Sequence, residues 1–392
     1  MDSATTSLIY LLAWFTLYSI FRILRLEKRG LTAKPLYFIY RSSRLNKALE
    51  RLAKRARMFW RVSADIGVAF GVGLMILAVY SLARGAFALA FKTPEAMPIS
   101  VLVPLPGLTI SWENSTYIMA TIVILAVTHE LAHGIASLID DIPLKSTGIF
   151  SFLFFSAAFV EIDDQKLEKA GHSTRLRVFA AGSSVNLVTW LLVLILMYNF
   201  IPSISPLYDN NPSGVLITDL VEGGAAQTAE IERWDVIYAF NGTAIAGYEG
   251  LSSYLSSIKP NSVLVASSNR GISTIATGTH PLNSSRPYLG VSAFNYYAPK
   301  LPIFPVALPF QLYQLERWMA TIMIAVALFN MLPIFPFDGD KFLVSILKAF
   351  NVGRIKEMRT LASMLCLFII GLNFALSLWR YGSIQFLSLI HI

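Results

Sequence analysis

Residues 117–139 read Tyr-Ile-Met-Ala-Thr-Ile-Val-Ile-Leu-Ala-Val-Thr-His-Glu-Leu-Ala-His-Gly-Ile-Ala-Ser-Leu-Ile, and the fold turns on this stretch. It is long and apolar enough for a membrane crossing, which needs roughly 20 mainly apolar residues to cover about 30 Å of hydrocarbon. Yet it carries His129, Glu130 and His133. On a helix, positions i and i+4 lie within about 40° of each other, so two imidazoles spaced like this pair can take one metal ion. Glu130, next along the chain, is placed to act as general base toward an attacking water. The bland alternative is a polar helix face packed against neighbouring helices. Three ionisable groups this close together at membrane depth are costly, however, unless they pair, bind metal or line a cavity.

The remainder of the 392 residues has the same character. Apolar residues make up 55% and charged residues 14%, and mean hydropathy is +0.58. A soluble chain would carry roughly a quarter charged residues. Six apolar runs reach spanning length: Ser7–Leu24, Asp65–Leu82, Tyr117–Ile139, Leu176–Phe200, Leu312–Leu332 and Leu361–Trp379. The first sits where a signal peptide would, but it lacks a basic n-region and a small-residue cleavage site, so it is expected to be a retained helix with its N-terminus outside.

A net charge of +8 suits nucleic acid or a membrane surface, and the position of the charges decides between them. Loops near residues 25–61, 141–177 and 341–359 hold 12, 5 and 5 Lys/Arg, together 22 of 32. Basic loops between apolar runs exclude nucleic acid and put these three loops in the cytoplasm by the positive-inside rule. Arg41, Arg44, Lys47, Arg51, Lys54, Arg55 and Arg57 are spaced to form a basic helix that can rest on membrane lipids, or they serve as a topology signal alone. Acceptor tripeptides for N-glycosylation at Asn114, Asn241 and Asn283 all fall on the outer side of this arrangement. The lone cysteine, Cys366, lies in an apolar run, which leaves no disulfide framework and no cysteine-based zinc site.

Two apolar segments are too short or too broken to span. Pro98–Trp112 contains two β-prone runs around Pro104, Pro106 and Gly107, hence an expected hairpin dipping into the membrane. Gly148–Ile162, rich in Phe, is expected to be a second re-entrant piece, which must be buried in protein or line a wet cavity. Between the fourth and fifth crossings the composition becomes that of a soluble module. Strands are expected at Gly214–Val221, Asp235–Asn241, Ser262–Ser267, Thr274–Thr277 and Tyr288–Phe294, with a helix over Tyr248–Ile258. The chain therefore divides into residues 1–96, 97–205, 206–297 and 298–392.

A catalytic zinc keeps three protein ligands and an open position. His172, His280 and His391 lie in loops or at the end, so a third His ligand is not obvious. The fifth crossing ends Asn330-Met331-Leu332-Pro333-Ile334-Phe335-Pro336-Phe337-Asp338-Gly339-Asp340, where two prolines break the helix and irregular backbone can carry an acid inward. Asp338, Asp340 and Glu161 are all open candidates, and so is a plain turn at the membrane boundary.

An intramembrane His-Glu-x-x-His, a later Asn-x-x-Pro-x-x-Pro-x-Asp-Gly and a soluble module between them resemble the site-2 protease family over most of Met97–Phe342. The resemblance implies a polytopic α-helical membrane protein with re-entrant β segments and an inserted PDZ-like α+β domain. It implies one Zn²⁺ held by His129, His133 and Asp338, with Glu130 as catalytic acid/base and Asn330 and Pro333 in the motif that presents Asp338. Ala181-Gly182-Ser183-Ser184-Val185-Asn186 is similar to the family's Ala-Gly-Pro-x-x-Asn stretch, with Ser183 standing where many members have Pro and Asn186 expected near substrate. Gly214-Val215-Leu216-Ile217, Gly223-Gly224-Ala225-Ala226 and Arg233–Gly242 resemble the PDZ domains of such proteases, which implies a module outside the membrane that either takes a substrate tail by strand addition or is purely structural. The Pro98–Trp112 hairpin resembles the re-entrant segment that offers an edge to the unwound substrate. The implied activity is zinc-dependent intramembrane endopeptidase action on transmembrane protein substrates, with the active site toward the cytoplasm. A membrane zinc transporter or metal sensor is the rival class, because it too needs intramembrane His and acid but has no use for a glutamate base.

Overall fold

The computed structural model describes residues 3–98, 100–101, 106, 110–153, 155–281, 283–382 and 385–386. They fall into two units, Met1–Leu194 with Arg317–Ile392, and Ile195–Glu316.

The first unit opens with the apolar helix α1 (Ser3–Ile23), whose Trp14 stacks on Phe38 at 4.4 Å and donates its indole N–H to Pro35 O. Phe38 belongs to a hairpin, β1 (Leu31–Lys34) and β2 (Tyr37–Arg41), inside the stretch read as a basic loop. Ser42 caps α2 (Ser43–Arg55) by accepting from Leu45 N–H, and α3 (Arg57–Phe91) then runs for 35 residues. Of the hairpin expected at Pro98–Trp112, most lies outside the described residues; β3 (Ser100–Val101) is described. Helix α4 (Trp112–Leu138) starts at a Ser111 cap and carries His129, Glu130 and His133 in its second half.

Gly148–Ile162, expected as a re-entrant piece, supplies two strands of a sheet. Strands β4 (Leu144–Phe152) and β5 (Phe155–Ile162) join the first hairpin in the antiparallel order β1-β2-β4-β5, which leaves β5 at an edge. The alternation of small and aromatic residues in β4 and β5 is a strand pattern, masked in the sequence because its partner β2 lies about a hundred residues upstream. The short α5 (Asp164–Lys169) leads into α6 (His172–Tyr198).

A charge network ties three of these helices together at one end. Asp140, just past α4, accepts from Arg61 of α3 at 2.6 Å and from Arg177 of α6 at 2.9 Å, while Arg177 also reaches Asp65 at 2.6 Å. Burial opposes ionisation of Asp140, but its hydrogen bonds from Arg61 and Arg177 outweigh that and hold the carboxyl below the usual carboxylate range.

The second unit begins in the last turn of α6 and contains α7 (Phe200–Ile204), β6 (Gly214–Leu220), α8 (Ala225–Thr228), β7 (Val236–Phe240), β8 (Thr243–Ala244), α9 (Gly247–Ser256), β9 (Val263–Ser268), β10 (Gly271–Ala276), β11 (Gly278–His280), β12 (Asn283–Tyr288) and β13 (Val291–Tyr296). Its main sheet has the order β10-β9-β7-β6-β13, with β8 folded back on β7. Asn241 and Gly242, at φ 48° and 77°, form the two-residue connection between β7 and β8, the geometry for which Asn-Gly is suited. Val215 and Ile217 enter one core with Ile237, Phe240 and Leu264, while Leu216 enters another with Val236 and Phe310. Both faces of β6 are thus covered, which is why its sequence runs apolar instead of alternating. This unit is wider than the composition change suggests, because Phe200, Ile204, Tyr208 and Tyr297 share a cluster.

The chain ends in α10 (Leu308–Asn330), α11 (Asp338–Ala349), α12 (Ile355–Tyr381) and β14 (Gln385–Phe386), which pairs parallel to β3. Asn373 of α12 donates to Leu82 O of α3 at 2.9 Å, and Cys366 is buried in packing with Ala78, Leu332 and Ile334. Among the described residues six helices, α1, α3, α4, α6, α10 and α12, are long and apolar enough to cross a membrane.

Candidate metal centre

One turn of helix separates His129 from His133, and their Nε2 atoms lie 3.1 Å apart. Asp338 Oδ2 lies 3.4 Å from the first and 3.1 Å from the second. Asp338 reaches this point because α10 stops at Asn330, the chain turns irregularly past Pro333 and Pro336, and α11 begins on Asp338 itself. A side chain on Gly339 would strike the backbone of Met331 and Leu332, so only glycine lets the first turn of α11 settle that closely. Among the described residues these three are the group of His, Cys, Asp and Glu side chains arranged to hold a metal.

The other two acids stand outside this triangle. Asp340 is buried in a bidentate pair with Arg359 of α12, both contacts at 2.6 Å. Glu161 is exposed and accepts from Ser146 Oγ at 2.7 Å.

Three features fit a zinc ion. His133 Nδ1 lies 2.7 Å from Val178 O, so Nδ1 carries the proton and Nε2 presents a lone pair. With both Nε2 atoms bare and the Asp338 carboxylate ionised, three acceptor atoms converge, an arrangement a cation resolves. Their separations match a tetrahedral site, in which bonds of about 2.0–2.1 Å put ligand atoms about 3.3 Å apart. Finally, a Cβ on Gly182 of α6 would stand 2.5 Å from Nε2 of both histidines. The chain keeps that volume clear.

Asn186, expected near substrate, is fully buried behind the site, with its amide 3.1 Å from His129 Nδ1 and its Oδ1 without a hydrogen-bond partner. An amide's oxygen and nitrogen exchange places by a half-turn. The orientation that sets Oδ1 on Nδ1–H leaves His129 Nε2 bare, which is the tautomer a metal ligand needs. His129, His133 and Asp338 lie on the wall of a cavity of about 460 Å³ that also touches Glu130, Glu161, Asn330 and Lys341. Glu130 Oε2 accepts from Val160 N–H of β5 at 3.0 Å, so the carboxylate has a fixed direction.

Residues 117–372 match the profile of Peptidase family M50. The chain belongs to that family, the site-2 protease family. A relative in Arabidopsis thaliana named as a membrane-bound transcription factor site-2 protease homolog is 25% identical over 185 residues, covering 46% of this M50 peptidase and 35% of the plant protein. An uncharacterized protein of Methanocaldococcus jannaschii is 27% identical over 359 residues, covering 86% of this chain and 84% of its own. Family and helices together make the M50 peptidase a multi-pass membrane protein of a metalloprotease family.

Two groups at the centre leave little trace in the sequence. Val160 looks like any strand residue, and the clearance at Gly182 is recognisable only once α6 is known to lie against α4. A signal for Gly182 is present in principle, since a glycine inside a long helix costs about 1 kcal/mol and asks for a reason.

Proposed function

We propose that this M50 peptidase is a zinc-dependent endopeptidase that cuts transmembrane segments of other membrane proteins inside the bilayer. The observation that supports it best is the convergence of His129, His133 and Asp338 beside Glu130, on a cavity wall formed in part by an apolar, membrane-length helix. Bound there, zinc would supply a Lewis acid that polarises the scissile carbonyl and acidifies water. Glu130 takes the proton of the attacking water and returns it to the leaving nitrogen, the role of a general acid/base. Val160 N–H keeps its carboxylate aimed at the cavity.

A peptide bond in a membrane helix is shielded by its own hydrogen bonds, so substrate has to unwind before attack. The free edge of β5 offers it an alternative partner. Val160 turns its N–H away from β4, and by strand alternation Ala158 and Ile162 share that edge. An unwound segment adding to β5 would run past Glu130, pairing with the edge positions on either side of the Val160 N–H that Glu130 occupies.

The inserted unit reads as a PDZ-like module outside the membrane, with a groove of about 210 Å³ between α9 and β12–β13 as the place for a substrate strand or tail. Deleting residues 206–294 and rejoining the ends should change which substrates are cut while a small unstructured membrane peptide is still cleaved. Zinc lost from a folded deletion would show that the module supports the metal instead. The charge distribution puts the active site toward the cytoplasm, and a cysteine at Ser252 should be labelled by impermeant reagents from outside only. Labelling from the cytoplasmic side alone would reverse the orientation.

The deciding experiment reconstitutes the protein with a membrane-spanning reporter and follows both cleavage within the span and zinc movement across the bilayer. Chelator-sensitive cleavage is the expected result. Zinc flux without cleavage would favour a transporter.

A further inference from the structure

Helix α2 has three distinct sectors. Leu49 and Ala53 are buried against the protein, Leu45 and Leu52 are apolar and exposed, and Arg44, Lys47, Arg51, Lys54 and Arg55 are exposed. At about 100° per residue the buried pair occupies about 240–280° around the axis, the exposed apolar pair about 180–200°, and the basic residues about 20–120°. Among the described residues none of the five basic side chains has an ion-pair partner.

Helix α3 fixes the position of α2. One residue, Ala56, separates α2 from the membrane-length α3, which at once exposes Met58, Phe59 and Val62. Trp60 of α3 donates its indole N–H to Leu52 O at 3.2 Å, tying the two helices at the level where Trp prefers the interface. Helix α2 therefore lies along the boundary of water and hydrocarbon.

Beside Trp60 opens a groove of about 360 Å³ among α3, α4 and α6. It follows α3 from Phe59 to Phe70, about 17 Å at 1.5 Å per residue, close to the roughly 15 Å of hydrocarbon in one leaflet. Its lining is apolar apart from Ser63 and Ser184, and Ser184 already donates to Gly67 O at 2.7 Å. The rim residues Phe59, Ile66 and Val188 are exposed, so it opens sideways. A single acyl chain matches its length and polarity.

We propose that α2 and this groove form a binding site for one anionic phospholipid of the leaflet that α2 meets, with an acyl chain along α3 and the headgroup phosphate on the basic face. The lipid site stands apart from catalysis, since it uses no metal ligand and neither Glu130 nor the β5 edge. The full chain is reconstituted in phosphatidylcholine vesicles containing a minor fraction of phosphatidylglycerol, with bromine on the acyl chains of one lipid or the other, and quenching of the Trp60 component is taken as the difference from Trp60→Phe. Brominated phosphatidylglycerol should quench it more effectively than brominated phosphatidylcholine, by about fivefold in partition for each basic residue that reaches the phosphate. Replacing Arg44, Lys47, Arg51, Lys54 and Arg55 together by Gln should abolish that preference, and Ala64→Phe, which fills the groove, should reduce quenching by both lipids. If the fivefold variant does not fold, salt makes the same test on the wild-type protein, because a Debye length shortened from about 10 Å to about 3 Å should erode the preference. Equal quenching by the two lipids in wild type, a preference that survives neutralisation or high salt, or displacement of the quencher by a membrane-spanning peptide would each overturn the assignment.

Discussion

Glu130→Gln should keep its zinc and lose about 10²–10⁴ in turnover, the usual cost of removing an acid–base group. The substitution preserves volume and leaves His129, His133 and Asp338 untouched, so the ligand triangle with its 3.1 Å and 3.4 Å sides remains. What disappears is the carboxylate that accepts a proton. A glutamine can still take the Val160 N–H bond through its carbonyl oxygen, so loss of strand packing cannot account for a loss of rate. Zinc per protein and cleavage of a membrane-spanning reporter, measured together, check it. Undiminished cleavage by a folded Glu130→Gln protein would end the mechanism proposed here, whereas a transporter would show altered flux and no proteolysis to lose.

His133→Ala and Asp338→Ala should each remove metal and activity together. Either change deletes one corner of the triangle, and a two-ligand site holds Zn²⁺ poorly. In both variants zinc content should fall from one per chain to near zero, and added zinc should not restore cleavage. The pair also separates the acids: Asp340→Asn disturbs the contact with Arg359 and not the triangle, so it should bind zinc while losing thermal stability. Equal zinc in wild type and Asp338→Ala would remove Asp338 from the site.

The six apolar helices are legible in the sequence because a bilayer imposes a length and composition that few other environments tolerate. The two histidines are legible because helical spacing is local. Asp338 is not separable from Asp340 and Glu161 on residues alone, since the choice depends on tertiary contacts from α12 and β4 that no helix or strand period reveals. The β1-β2-β4-β5 sheet is hidden for a similar reason: β2 and β4 are separated by the whole of α3, and the basic residues around β1 and β2 obscure their strand pattern. Asn186 stands out by its motif, but a single sequence cannot show that a buried amide faces the back of an imidazole instead of the cavity.

The clearance at Gly182 bears on how such a protein could die. A single methyl group there would press on both imidazole nitrogens while leaving His-Glu-Leu-Ala-His and Asp-Gly intact in the sequence. A chain of this architecture could thus keep its metal ligands and its general base and be inert, surviving as a decoy that engages membrane segments without severing them. The residue to inspect in telling a living enzyme from such a fossil is the one with no side chain at all.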